Sequence, residues 1–122
     1  MAKKKILFIG YPKCSTCRKA EKFLRAHGCS ALMRDIKSDR PTAEELRTWH
    51  AQSGLPLKRF FNTSGMLYRE LGLKDKLPAM TEEEQYAVLA SDGMLVKRPL
   101  LIAGDHVLVG FREKEWADCM VK

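Results

Sequence analysis

Cys14-Ser15-Thr16-Cys17 places two thiols three residues apart, after an apolar run, Ile6-Leu7-Phe8-Ile9, and a turn, Gly10-Tyr11-Pro12-Lys13. Cysteines at this spacing, where a strand hands over to a helix, form the redox version of the C-x-x-C motif. The first turn of a helix carries unpaired backbone N–H groups and the positive end of the dipole, and both favour a thiolate. Such surroundings lower a free thiol from ~8.5 by one to several units, and a shift of about two units corresponds to roughly 2.7 kcal/mol. Lys13, Arg18 and Lys19 flank the motif and add positive charge. Residues three apart on a helix share a face, with Cβ atoms roughly 5–6 Å apart. A disulfide wants them near ~3.8 Å, so a small adjustment of the first turn closes the bond. Cys14 is therefore read as the attacking thiol and Cys17, one turn deeper, as the resolving one.

A zinc knuckle would use the same spacing but needs a second Cys or His pair. His27 and Cys29 are the nearby candidates, and a helix of this length sets them roughly 15 Å from the motif. No metal site is expected. Cys29 and Cys119 carry no motif and read as small apolar filling.

At 122 residues the chain is expected to form one domain, 1–122. Lys3-Lys4-Lys5 precedes too few apolar residues for a signal peptide, and no stretch approaches a membrane span. The expected location is the cytoplasm, where thiols stay reduced and a C-x-x-C is catalytic or sensing rather than structural. A net charge of +7, much of it in Lys3–Lys5 and Lys13–Arg25, implies affinity for an anion. No aromatic-rich motif interleaves the basic residues, so direct sequence-specific nucleic-acid binding is not expected, nor is membrane binding.

The elements that must position the thiols follow from pattern. Ile6–Ile9 predicts a buried strand, Arg18–His27 a helix ended by Gly28, and Ala31–Ile36 a second strand, a βαβ start with a right-handed crossover. Thr42 with Glu45 and Thr81 with Glu84 are capping boxes that predict two helices in a helical insert of about 41–90. Leu57–Leu71 reads as helical pieces broken at Asn62-Thr63-Ser64-Gly65. Leu100–Ala103 and Val107–Gly110 around Gly104-Asp105-His106 predict a β-hairpin, and Glu113–Met120 a closing helix.

The order βαβ, insert, ββα, with Arg98-Pro99 before the third strand, resembles the thioredoxin-like fold, an α/β architecture with a mixed sheet. That resemblance implies a cis proline facing the active cysteine. Three stretches sharpen it: Tyr11 to Ala20, Phe60-Phe61-Asn62-Thr63-Ser64-Gly65, and Ala90-Ser91-Asp92-Gly93-Met94 running into Lys97-Arg98-Pro99. Together they resemble the arsenate reductase-related family, which holds ArsC-type reductases and the Spx and MgsR regulators. The resemblance implies Cys14 as nucleophile and Arg98 as the oxyanion-binding arginine. It further implies an oxyanion or substrate site drawn from Lys13, Ser15, Thr16, Asn62, Arg98, Pro99 and Arg112. Asn62 stands where ArsC-type reductases carry a second arginine, and Arg112 lies near the place of a third.

Two functions are implied. One is a thiol–disulfide or arsenate reductase-like oxidoreductase without a bound cofactor, acting on a small oxyanion or a disulfide. Glutathione, thioredoxin or glutaredoxin would be its electron donor. The other is an Spx- or MgsR-like redox-sensing regulator that binds the RNA polymerase α-subunit, with Cys14–Cys17 as its switch.

Overall fold

A computed structural model describes residues 6–121, with side chains to Cys119, so the basic run Lys3–Lys5 lies outside the described residues. The chain divides into two compact units, one of residues Met1–Asp35 and Arg98–Lys122, the other Ile36–Lys97. The second unit is the insert. Its bounds are wider than 41–90 because irregular segments on both flanks of its helices are tied into it.

In the first unit the elements are β1 (Ile6–Gly10), α1 (Ser15–Ala26), β2 (Leu32–Asp35), β3 (Leu100–Ala103), β4 (His106–Val109) and α6 (Glu113–Val121). The strand order is β2-β1-β3-β4. β1 pairs in parallel with β2 and antiparallel with β3, and β3 pairs antiparallel with β4. This is the mixed sheet expected from the βαβ and ββα pattern. Phe8 stands opposite Leu101 in the β1–β3 ladder, so both point to one face. Cys17, Ala20, Phe23 and Leu24 of α1 recur at helical spacing and cover that face, together with the fully buried Trp116 of α6. Trp116 meets Phe8 edge-on at 6.2 Å, and its indole Nε1 donates to the Gly110 carbonyl at 3.0 Å, so its one polar group is satisfied.

α1 begins three residues earlier than the periodicity predicts, because Cys14 itself occupies the N-cap. Cys14 thus caps the helix and Cys17 lies in its first turn, at the helix start where the spacing places them. β2 is shorter than 31–36 at both ends.

In the insert, α2 (Ala43–Ser53) and α5 (Glu82–Ser91) start at the two capping boxes. Thr42 accepts from the Glu45 N–H at 3.1 Å and Glu45 accepts from the Thr42 N–H at 3.0 Å; Thr81 and Glu84 repeat this at 3.1 and 2.8 Å. Leu46 and Trp49 of α2 are buried, as are Tyr86 and Leu89 of α5. His50 and the Tyr86 hydroxyl share a 2.7 Å hydrogen bond between these helices. A 3-10 turn at Leu57–Phe60 and α3 (Met66–Glu70) are the expected helical pieces. α4 (Leu73–Lys76) and the 3-10 turn Leu77–Ala79 lie outside the predicted elements, since turns of four and three residues are too short to show a period.

The segments joining these helices are pinned by backbone. Phe61 bridges Val96, Asn62 N–H donates to the Leu95 carbonyl at 2.8 Å, and Lys97 N–H donates to the Phe60 carbonyl at 2.8 Å. Gly93 sits so close to the Ile36 carbonyl that a Cβ there would lie 1.8 Å from its oxygen. Asp92 accepts from the Met94 N–H at 2.9 Å and completes that turn. The Ser91-Asp92-Gly93-Met94 stretch is thus built for close backbone packing.

Candidate active site

Cys14 has extended backbone angles, φ −91° and ψ 119°, as an N-cap requires. Its Sγ accepts from the Cys17 N–H at 3.4 Å, so the thiol stands in for the usual hydroxyl or carboxylate cap. Two further bonds hold the loop before it: Cys14 N–H donates to the Tyr11 carbonyl at 2.9 Å, and Arg18 Nε donates to the Pro12 carbonyl at 3.0 Å. Cys17 lies inside, 3% exposed, and its Sγ accepts from the Tyr11 N–H at 3.4 Å. A side chain at position 10 would place its Cβ 2.6 Å from the Phe8 ring and 3.3 Å from this sulfur, so it would have to displace the ring and crowd Cys17. Both thiols are free.

Their environments differ in sign. Partial burial is the largest single influence on Cys14 and raises its pKa. Hydrogen bonds from the Cys17 side chain and backbone, joined by the charge and hydrogen bonding of Arg98, together outweigh it and hold the thiol below its ordinary value. Burial dominates at Cys17 and pushes it up to about 12, with the Cys14 sulfur acting in the same direction and the Tyr11 N–H and Arg98 against it. One sulfur is set to be a thiolate and its neighbour to keep its proton.

Arg98 comes from the other end of the unit. The Arg98–Pro99 peptide bond is cis, and the Pro99 carbonyl accepts from the Gly110 N–H at 2.8 Å, which ties the start of β3 to the end of β4. The guanidinium rests over the Tyr11 ring, 5.6 Å from its centroid, a cation–π contact. Its Nε and Nη1 are buried and have no hydrogen-bond partner. Buried donors without partners are costly, and a guanidinium fork matches the edge of a tetrahedral oxyanion.

The structure therefore brings Cys14, Cys17, Arg98 and Pro99 together. Lys13, Ser15 and Thr16 are exposed around the same helix start. Arg112 is exposed just before α6 and pairs with Glu115 at 3.5 Å. Asn62 belongs to the insert, where its Nδ2 donates to the Met94 carbonyl at 3.4 Å and its Oδ1 accepts from Ser64 at 3.4 Å. Its side chain serves its own turn. Tyr11 is the site residue that sequence reasoning left without a role. Its N–H reaches Cys17 and its ring lies under the Arg98 guanidinium, a meeting across the unit that no local pattern signals. Among the described residues no three His, Cys, Asp or Glu side chains gather as metal ligands, and no helix is long and apolar enough to cross a membrane.

A C-x-x-C at a helix start beside a cis proline, on a mixed four-stranded sheet, defines the thioredoxin-like class. Within that class the chain belongs to the ArsC family, whose model matches residues 9–119. It is 53% identical over 113 residues to the uncharacterized protein YusI of Bacillus subtilis, a match that covers 93% of this chain and 96% of that one. The crystal structure of a possible arsenate reductase from Streptococcus mutans superposes with a TM-score of 0.85 at 45% identity, covering 93% and 98% of the two chains. The regulatory protein MgsR of B. subtilis is 26% identical over 110 residues, covering 90% of this chain and 86% of its own.

Proposed function

We propose that this protein is a thiol oxidoreductase of the arsenate-reductase type, with Cys14 as nucleophile, Arg98 as anion-binding group and Cys17 as resolving thiol. The observation that carries this reading is the buried, unpartnered Nε and Nη1 of Arg98 beside a Cys14 thiol held below its ordinary pKa. With arsenate, the Cys14 thiolate would form an S–As bond as water leaves. Cys17, after giving up its proton, would attack the Cys14 sulfur, and the electron pair of the broken S–As bond would leave with arsenic as arsenite. The Cys14–Cys17 disulfide would then be reduced by an external thiol, glutathione or a thioredoxin- or glutaredoxin-type protein. A disulfide substrate would follow the same route, with a thiolate as the leaving group.

The experiment is reduction of arsenate and of a model disulfide, assayed in parallel with glutathione–glutaredoxin and with thioredoxin as donor. Turnover that disappears in Cys14→Ser and falls at least tenfold in Arg98→Ala supports the reading. Absence of turnover with both donors and both substrates overturns it.

The similarity to MgsR favours one alternative, a redox-sensing regulator that contacts the RNA polymerase α-subunit. Capture of that subunit by the reduced or the oxidised protein, but not by both, together with no turnover, would favour the regulator.

A further inference from the structure

The insert holds a cavity that the thiol chemistry does not use. It measures about 290 Å³ and lies where the 3-10 turn Leu57–Phe60, α3, α4 with the turn after it, and the start of α5 meet. Leu57 and Leu77 form buried walls, and Pro78 adds one with no N–H to satisfy. The Gln85 amide nitrogen donates to the Leu77 and Met80 carbonyls at 3.5 and 3.3 Å, so the polar backbone on that side is already used. Three other lining groups have no partner among the described residues: the Tyr68 hydroxyl and the ammonium groups of Lys58 and Lys74. Tyr68 is 5% exposed, and its ring is held edge-on against Phe61, 6.2 Å between centroids. A buried phenol ordinarily finds a hydrogen-bond partner. Among the described residues the fully enclosed, unpaired side-chain nitrogens and oxygens belong to Arg98, so the Tyr68 hydroxyl opens into the cavity that its residue lines. Lys58 and Lys74 each follow a buried leucine, Leu57 and Leu73, so both stems start from anchored backbone. Glu82 lines the cavity as well, but its carboxylate lies 4.0 Å from His50 Nδ1 and neither lysine pairs with it. Two cations and one anion leave the lining with one positive charge in excess.

We propose that this cavity is a binding site for a small monocarboxylate with a compact apolar body, an aromatic or branched aliphatic acid. The body packs on Leu57, Leu77 and Pro78. The carboxylate accepts from the Tyr68 hydroxyl, which supplies the directional bond, and Lys58 and Lys74 supply the charge. A volume at the small end of ligand pockets suits a molecule of roughly ten non-hydrogen atoms. One negative charge balances the lining, and a second would face Glu82 uncompensated. The ligand binds the folded insert and stabilises it by mass action, with no step at Cys14 or Cys17.

The test titrates the full, isotope-labelled chain with phenylacetate and follows the amide signals by NMR. Saturable shifts should centre on Lys58, Tyr68, Lys74 and Leu77. Benzylamine, the same body with the opposite charge, should produce none. Acetate, the head without the body, should bind at least tenfold more weakly, and phenyl phosphate more weakly than phenylacetate. Tyr68→Phe removes a hydroxyl that bonds to nothing in the chain, so the fold is kept while affinity for phenylacetate falls at least threefold. Lys58→Gln and Lys74→Gln, both at exposed positions, should each lower it by a similar factor. Any one of four results would overturn the proposal: no saturable shift at millimolar phenylacetate, shifts centred elsewhere, benzylamine binding as well, or phenyl phosphate binding more tightly. Undiminished binding in all three variants would do the same.

Discussion

At the scale of single residues, the asymmetry between Cys14 and Cys17 arises from one turn of helix. The outer sulfur accepts an N–H and faces a guanidinium, while the inner one is enclosed beside Phe8 and Gly10. Alkylation of the reduced protein is expected to label Cys14 first, with a pH midpoint below that of an ordinary thiol. Arg98→Ala should move this midpoint upward, because a charge that favours the thiolate is removed. A midpoint that stays in place would separate Arg98 from the sulfur. The same arginine should set anion affinity. Sulfate binding followed by calorimetry should weaken in Arg98→Ala by about 1.5–3 kcal/mol, the range for hydrogen bonds to charged groups. Arg98→Lys should recover only part of this, since an ammonium cannot reproduce the fork.

At the scale of elements, the helices of the insert depend on their first residues. α2 and α5 each satisfy two of their free N–H groups reciprocally through a capping box. Thr42→Ala and Thr81→Ala are each expected to cost about 0.5–2 kcal/mol in urea denaturation, with Ser in either place restoring most of it. The turn at Gly93 is less forgiving. A Cβ there meets the backbone of Ile36 rather than a movable side chain, so Gly93→Ala should destabilise by at least ~1–3 kcal/mol, the range for overpacking. Unchanged stability in Gly93→Ala would mean that the two backbone segments separate easily.

At the scale of the whole molecule, the buried Cys17 gives the fold a measurable dependence on alkaline pH. The folded chain keeps the Cys17 proton up to about 12. The unfolded chain releases it near ~8.5. Between these values the unfolded state binds fewer protons, so stability falls as pH rises. Cys14 has the opposite sign: its depressed pKa contributes stability that is complete above the unfolded value and lost as pH falls through the folded one. Above roughly pH 8.5 the Cys17 contribution is therefore the one still changing. Cys17→Ala should be less stable than the parent at neutral pH, and the gap should narrow as the medium becomes more alkaline under reducing conditions. A gap that stays constant would show that Cys17 ionises equally readily in both states.

Much of this protein can be read from its residues in order. Short continuous apolar runs such as Ile6–Ile9 and Leu100–Ala103 determined the strands, the Thr42 and Thr81 boxes set the starts of the two long helices, and the cysteine spacing marked the redox site. These are local properties, written within a few bonds of the residues concerned. What the tertiary structure alone decided depends on meetings between residues distant in the chain. It set Arg98, with two buried donors left open, over Tyr11 and beside Cys14. It gave Asn62 a bond to Met94 within the insert, a partner that no motif indicates. It made the Gly93 stretch a point of backbone contact with Ile36. Side-chain burial and charge proximity are set by packing across the sheet, and no local pattern encodes them.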